Sequence, residues 1–153
     1  MEHQLHTTLE LPLPIDEVFA FFAEAANLGR ITPPELRFEI LTPAPVHMRR
    51  GTLLDYRLGL FGIRFRWRTR IAAWDPPHGF IDVQVSGPYA LWEHTHVFVA
   101  TAAGTLIDDR VRYRLPLSPL GEIASPVVRR QLARIFAYRQ DAVREALLGA
   151  SSG

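Results

Sequence analysis

Apolar and polar residues alternate along most of this chain, and the pattern changes to a helical spacing only near the C-terminus. Alternation predicts β-strands, because successive side chains of a strand point to opposite faces. The strands are expected at 3–11, 36–41, 51–60, 63–74, 80–85, 89–100 and 105–115. A short buried helix is expected at about 15–23, and a second short helix should follow it before the next strand.

The sequence near the C-terminus predicts one long helix over about 126–148. Its apolar residues recur at helical spacing and form one stripe: Leu132, Ile135, Phe136, Val143 and Leu147. Two Ser-Pro pairs, Ser118-Pro119 and Ser125-Pro126, predict an N-cap followed by proline in the first turn. Three small residues, Ala133, Ala137 and Ala142, are expected on or near the inner face of this helix, where they would leave room beneath it.

Together these elements predict an α+β domain with a curved antiparallel sheet of about six to seven strands around the long C-terminal helix. Short turns between consecutive strands favour antiparallel pairing. The apolar face of the sheet has to be covered, and only the long helix is large enough to do so. A bent sheet around one helix usually leaves a gap, so a cavity is expected between them.

The strand at 63–74 carries four arginines at alternate positions, Arg64, Arg66, Arg68 and Arg70. Such a stripe is typical of a solvated sheet face that also discourages aggregation between sheets. A surface that binds anions or phosphate is the alternative.

The strand at 89–100 holds the most informative polar residues of the chain. His94 and His96 share one face with Trp92 and Phe98. The neighbouring strands are expected to place Asp82, Gln84 and Asp109 on the same face. Cross-strand neighbours on one face lie about 4.5–5.5 Å apart at Cβ, so a carboxylate–imidazole contact such as Asp109 with His94 is feasible.

This polar cluster has three interpretations, which the residues alone leave open. It could be a structural network in which the side chains satisfy one another's hydrogen bonds, because a buried polar group without a partner costs about 1–3 kcal/mol. It could be the polar end of an apolar ligand cavity. His-x-His with an aspartate could also form a three-ligand metal site, although no longer metal signature accompanies it and no metal is predicted. The expected cavity wall also includes aromatic residues: Tyr56, Trp67, Trp92, Phe98 and Tyr113.

The amino-acid composition limits the reactions and partners that are open to this protein. The chain of 153 residues contains no cysteine, and all 17 basic residues are arginine, which excludes thiolate and lysine Schiff-base chemistry. A net charge of +1 does not favour nucleic-acid binding. No phosphate-binding loop is present, so no cofactor is expected. No apolar run is long enough to span a membrane, and the absence of cysteine fits a cytoplasmic protein.

Three segments carry a family resemblance: VFAFFAEAANLGRITPPEL, GPYALWEHTHVF and DDRVRYRLPLSPLG. They resemble the START-like, or polyketide cyclase/dehydrase and lipid-transport (SRPBCC), superfamily, most of all its bacterial single-domain branch described as ligand-binding. The resemblance implies a helix-grip fold for one domain over 1–148. The remaining residues, 149–153, are expected to form a disordered tail.

The resemblance and the residues together favour binding or carriage of a hydrophobic small molecule, lipid-like or polyketide-like, between the sheet and the C-terminal helix. One alternative is a cyclase- or dehydratase-like enzyme, in which His94 or His96 acts as acid or base and Asp109 or Asp82 orients it. The other is a non-catalytic interaction module with a filled core, in a form that could be a homodimer. The balance of these arguments is against an enzyme.

Overall fold

A computed structural model describes residues 1–149 of the chain, which form seven strands, two α-helices and three short 3₁₀ segments. The strands are β1 (Glu2–Leu11), β2 (Glu39–Ile40), β3 (Leu53–Leu60), β4 (Ile63–Asp75), β5 (Gly79–Ser86), β6 (Leu91–Thr101) and β7 (Gly104–Arg114). The helices are α1 (Ile15–Ala23) and α2 (Ser125–Leu148), and the 3₁₀ segments are Ala25–Ile31, Pro34–Leu36 and Leu120–Ala124.

All seven strands form one antiparallel sheet in the order β1-β7-β6-β5-β4-β3-β2. The chain runs as a meander from β2 to β7, and β1 joins the far edge beside β7. The pairing of β4 with β5 shifts register twice, between Arg68 and Thr69 and between Ile71 and Ala73. Such irregularities bend a strand and increase its twist, so the sheet curves at its centre.

The predicted two-faced strands are confirmed. In β6 the even positions Trp92, His94, His96 and Phe98 are buried, and in β4 the four arginines face outward and are exposed. The core has two clusters of buried residues. One joins α1 to the sheet through Phe19, Phe22, Phe80 and Phe98. The other joins α2 to the sheet through side chains that include Trp67, Trp92, Leu132 and Phe136.

Several sequence predictions need correction. The strand expected at 36–41 is reduced to Glu39–Ile40, because Leu36 ends a 3₁₀ segment and Arg37 adopts a left-handed conformation with φ of 52°. Ser125 does not cap α2: it already has helical dihedral angles, and Ala124 occupies the cap position without a side-chain hydrogen bond. Ser118-Pro119 does lie in the segment that connects β7 to α2, and Ser125-Pro126 does begin the helix.

Two of the three small residues of α2 do not lie on its inner face. Ala133 and Ala137 are exposed, and Ala142 is partly buried against the first core cluster. The inward stripe of α2 consists of larger side chains, among them Leu132, Phe136 and Val143. Space beneath the helix therefore arises from the curvature of the sheet. The predicted tail, 149–153, lies outside the described residues apart from Gly149.

Residues 1–149 contain no helix that is both long enough and apolar enough to cross a bilayer.

Candidate functional site

A cavity of about 160 Å³ lies between the sheet and α2. Its wall comes from β3, β4, β5 and β6, from α1 and α2, and from the segments between α1 and β3. Members of both core clusters contribute, for example Phe22 and Phe80 from the first and Trp67 and Leu132 from the second. The cavity therefore lies where the two clusters meet and leave a space unfilled.

The position of the cavity follows from how the helices contact the sheet. Helix α1 packs on β6 and β7, and α2 contacts β1 and the 3₁₀ segment Ala25–Ile31. The β1–β7 side of the sheet is therefore covered directly by helices. The strands farther along the sheet curve away from α2, and the gap opens there.

Six of the ten predicted ligand-binding residues line this cavity: Tyr56, Trp67, Asp82, Trp92, His94 and His96. Four others do not line it: Gln84, Phe98, Asp109 and Tyr113. Asp109 and Tyr113 are on β7, beyond the cavity wall, and Phe98 packs against Phe19 and Phe22 of α1. Whether the six lining residues bind a ligand stays a prediction.

Gln84 has a structural role that the sequence pattern did not suggest. Its amide nitrogen donates to the carbonyl oxygen of Tyr89 at 2.7 Å, and its amide oxygen accepts from the backbone N–H of Tyr89 at 3.1 Å. These two hydrogen bonds close the turn between β5 and β6, which is why β6 begins at Leu91 instead of residue 89. Both polar ends of the side chain are thus used within the protein.

Two aspartates and two histidines form the predicted cluster. His94 Nε2 is 3.0 Å from Asp109 Oδ1, and His96 Nε2 is 2.7 Å from Asp82 Oδ2. In the strand register His94 lies opposite Asp82 and His96 opposite Asp109, so both hydrogen bonds run diagonally between strands. His96 Nδ1 also approaches Asp109 Oδ1 at 3.2 Å, but without the angle of a hydrogen bond.

Burial and neighbouring charge set different protonation states for the two histidines. Burial, with the charge on His96, lowers the pKa of His94 to about 4 despite its bond to Asp109. Burial also opposes charge on His96, but the contacts with Asp109 and Asp82 outweigh it and raise the pKa of His96. A positive charge is therefore favoured on His96, and His94 is neutral at neutral pH.

The carboxylates stay ionised. Burial alone would raise the pKa of Asp109, but the hydrogen bond from His94 and the close approach of His96 hold it well below its usual value. Burial likewise opposes the charge on Asp82, and the contact with His96 outweighs it and lowers the pKa of that carboxyl. Because an ionised carboxylate can only accept, Nε2 of neutral His94 carries its proton and Nδ1 presents a lone pair.

The two imidazoles form a stack with Phe80, and Phe136 of α2 contacts the end of this stack at a tilt. The rings of Phe80 and His96 are 4.0 Å apart at their centroids, and those of His96 and His94 are 3.6 Å apart. Phe136 of α2 follows at 5.5 Å from His94. Stacking at this distance disfavours two adjacent positive charges, which agrees with one charged and one neutral histidine.

The same residues bear on the metal interpretation. Asp82, His94 and His96 offer ligand atoms within 4.8 Å of one another. Metal-bound histidines usually donate their second nitrogen to a carboxylate, and the His94–Asp109 contact has that form. The Asp82–His96 contact does not, because it joins two of the three candidate ligands to each other and a metal would have to break it. This arrangement fits a self-contained ion pair better than a metal site.

Arg139 is the functional candidate that the sequence analysis missed. It lines the cavity from α2, with its guanidinium 5.4 Å from the centre of the Phe22 ring and 5.9 Å from that of Phe136. Its atom Nη2 is buried and has no hydrogen-bond partner within residues 1–149. The sequence did carry a signal, because Arg139 lies three residues after Phe136 and four before Val143, inside the apolar stripe.

Trp67 presents a second unsatisfied donor. Its indole is 4% exposed and lines the cavity, and Nε1 has no partner in the described chain. Buried polar groups are almost always hydrogen-bonded, and exceptions call for an explanation. Trp67 Nε1, Arg139 Nη2 and His96 Nδ1 thus all border one largely apolar cavity without a hydrogen-bond partner in the described chain.

The arginines of the outer face are largely paired with acids. Arg68 makes two hydrogen bonds to Asp55, at 2.8 and 3.0 Å, and Arg64 lies 3.6 Å from Glu39. All four arginine side chains are exposed. This pairing supports the solvated-face interpretation of the stripe over the anion-binding one.

A curved antiparallel sheet closed on a long C-terminal helix around a cavity defines the helix-grip class of folds. The sequence profile described as "Polyketide cyclase / dehydrase and lipid transport" matches residues 11–137. The chain therefore belongs to this family, as the sequence resemblance indicated.

Solved structures with the same fold cover nearly the whole chain. TTHA0849 from Thermus thermophilus has a TM-score of 0.69 at 20% identity, over 99% of this chain and 100% of that one. Norcoclaurine synthase from Thalictrum flavum has a TM-score of 0.69 at 19% identity, over 97% and 87%. Protein CV1439 from Chromobacterium violaceum has a TM-score of 0.71 at 13% identity, over 96% and 97%. At these identities the likeness shows the fold alone. No curated protein matches the chain.

Proposed function

We propose that this protein binds a small hydrophobic molecule in the cavity between its sheet and α2. The observation that carries the proposal is the cavity itself: about 160 Å³ of unfilled space in the centre of the fold, lined mostly by aromatic and aliphatic side chains. Protein interiors are normally close-packed, so a space of this size bordered by a few polar groups is typical of a ligand site.

The volume supports a compact ligand. An engineered apolar cavity of about 150 Å³ in another protein holds a benzene molecule. A molecule of about one ring therefore fits the observed space, and a long acyl chain or a multi-ring polyketide would require α2 or the 3₁₀ segment Ala25–Ile31 to move outward. The family description supports ligand binding in general.

The enzyme alternative receives less support from the site. A general base works best when its pKa lies near the working pH, whereas the pKa of His94 is lowered to about 4. His96 is held between two carboxylates, at 2.7 and 3.2 Å, which stabilises its charge and restrains proton transfer. The alternative of a packed interaction module is opposed by the cavity. A homodimer and a cytoplasmic location remain predictions.

Ethylbenzene is a suitable first probe, because it has one ring and no polar group. At ten times its Kd, a ligand stabilises the native state by about 1.4 kcal/mol, so the Tm should rise by several degrees. Ala25, which lines the cavity and is 2% exposed, offers a way to fill it. Ala25→Leu should remove the rise in Tm.

The matched control is Ala133→Leu, the same substitution at an exposed position of α2. It should keep the full ethylbenzene response. If wild-type protein shows no saturable response to ethylbenzene, or if Ala25→Leu responds like the control, the cavity is not a binding site and the proposal fails.

A further inference from the structure

Three unsatisfied polar atoms border the cavity. His96 Nδ1 lies 3.2 Å from Asp109, and the other two indicate what the ligand must carry, on the premise of the proposed function. Trp67 Nε1 and Arg139 Nη2 are both buried and lack a partner within residues 1–149. Both side chains line the same cavity, Trp67 from the sheet and Arg139 from α2. Neither atom can accept a hydrogen bond, so a ligand that satisfies them must offer an acceptor oxygen or nitrogen.

Arg139 is not held by a carboxylate. No aspartate or glutamate of the described chain comes within 4.0 Å of its guanidinium, and the nearest defined contacts are the faces of Phe22 and Phe136. Other arginines of α2 do find acids: Arg134 pairs with Glu35 and Arg144 with Asp141. Arg139 therefore lines the cavity without a carboxylate partner in the described chain, and its buried Nη2 lacks a hydrogen bond.

The charges around the cavity already balance. Asp82 and Asp109 are anionic, and each contacts His96, at 2.7 and 3.2 Å. His96, whose charge the two carboxylates favour, and Arg139 offset these two negative charges. Burial, together with the stack on His96 at 3.6 Å, lowers the pKa of His94 and keeps this ring neutral. A carboxylate ligand would add an unbalanced buried negative charge, which is costly in a low-dielectric site.

We infer that the ligand is an uncharged molecule of about one ring that carries a carbonyl or similar acceptor oxygen, and that Arg139 and Trp67 donate to that oxygen. The size comes from the cavity volume, the acceptor from the two unpaired donors, and the lack of charge from the balanced cluster. The ring would lie among the aromatic side chains of β3, β4 and β6. The oxygen would lie between the sheet and α2.

Three probes of similar size separate these features: acetophenone has a carbonyl, ethylbenzene has none, and benzoate is an anion. Their Kd values are measured by NMR titration at pH 7 with wild-type protein and Arg139→Met. A hydrogen bond from a charged donor contributes enough for about a tenfold change in affinity. We expect Arg139→Met to weaken acetophenone about tenfold and to change ethylbenzene by less than about twofold. Benzoate should bind wild-type protein more weakly than acetophenone.

Arg130→Met is the matched control, because Arg130 is exposed on the same helix, and it should leave all three Kd values unchanged. Trp67→Phe provides a second test that keeps an aromatic ring but removes Nε1–H. It should weaken acetophenone several-fold and spare ethylbenzene. This variant keeps the inference testable if Arg139→Met does not fold.

The outcomes distinguish the inference from the proposed function. If ethylbenzene binds but neither substitution affects acetophenone selectively, water serves the two donors and the inference is wrong. If benzoate binds more tightly than acetophenone, the ligand is anionic and the charge argument is wrong. If none of the three probes binds, the proposed function fails together with the inference.

Discussion

The two faces of the central sheet use charged residues in opposite ways. On the outer face, Arg68 pairs with Asp55 at 2.8 Å, and its side chain is 44% exposed. On the inner face, His96 pairs with Asp82 at 2.7 Å, and its side chain is 4% exposed. The distances are nearly equal, but the surroundings differ. Water can replace either partner outside, whereas an inner partner that is lost leaves a buried charge.

A polar group of this protein is therefore best judged by what surrounds it when its partner is absent. The outer arginines are satisfied by acids or by solvent, so they need no ligand. Inside, Trp67 Nε1 and Arg139 Nη2 remain without a partner in the described chain. A polar atom without a hydrogen-bond partner therefore points to a ligand only on the inner face, where solvent is scarce.

The largest contrast is expected from removing one carboxylate on each face. Asp109→Ala deprives His94 and His96 of a partner at 3.0 and 3.2 Å, and breaking a buried pair in this way typically costs about 3–5 kcal/mol. Asp55→Ala, its outer-face control, should cost at most about 1 kcal/mol, since exposed pairs contribute little. Urea unfolding measures both free energies. If the two variants differ by less than about 1 kcal/mol, the faces are energetically alike and the comparison breaks.

A smaller effect is expected from pH. The pKa of His94 is lowered from 6.5 to about 4 on folding, so the unfolded chain binds more protons between these values. The free energy of unfolding should therefore fall as pH falls from about 6.5 to about 4, by an amount on the order of 3 kcal/mol. His96 acts in the opposite sense: its raised pKa contributes stability below about 6.5 that is lost as pH rises through the raised value.

Urea unfolding at a series of pH values tests this assignment. His94→Gln should flatten the slope between pH 6.5 and 4, whereas Asp82 and Asp109, with lowered pKa values, lose their contribution only at lower pH. His6→Gln replaces a half-exposed imidazole of β1 and controls for the loss of a histidine. An unchanged slope in His94→Gln would mean that His94 does not titrate as assigned.

The smallest contrast comes from two adjacent residues of β4. Thr69 faces inward, is 4% exposed and donates to the carbonyl oxygen of Val83 at 3.0 Å. Arg70 faces outward and is exposed. Thr69→Val should cost about 1 kcal/mol for the lost hydrogen bond, and Arg70→Gln should change stability by less than about 0.5 kcal/mol. Thermal unfolding compares them. An equal cost for both would show that facing inward does not decide what a polar group contributes here.

The sequence predicted the fold well because alternation marks both the strands and their inner faces. The arginines of β4 and the histidines of β6 each fell on the expected side. The Asp109–His94 contact was also expected, since neighbouring strands of a meander bring such residues within reach. These features depend on local periodicity and strand order, which the chain encodes residue by residue.

The cavity wall was harder to predict because it depends on where the helices meet the sheet. Asp109 and Tyr113 share the inner face with His94, but β7 lies beyond the cavity wall, toward the helix-covered side of the sheet. Ala133 and Ala137 were expected on or near the inner face of α2 but are exposed. A small rotation of a helix about its axis changes which positions face the sheet. Gln84 looked like a cavity residue by alternation, yet it closes the next turn. Such outcomes depend on three-dimensional packing between distant elements.

The placement of the indoles gives the protein a built-in optical reporter. The chain has three tryptophans, and Trp67 and Trp92 both line the cavity, with their rings 5.3 Å apart and perpendicular. Trp74 packs instead against Phe19 and Phe80. Fluorescence emission of the first two should respond when the cavity is filled, while Trp74 provides a steadier background. Occupancy could thus be followed in unlabelled protein, with a Trp74-only variant as the blank.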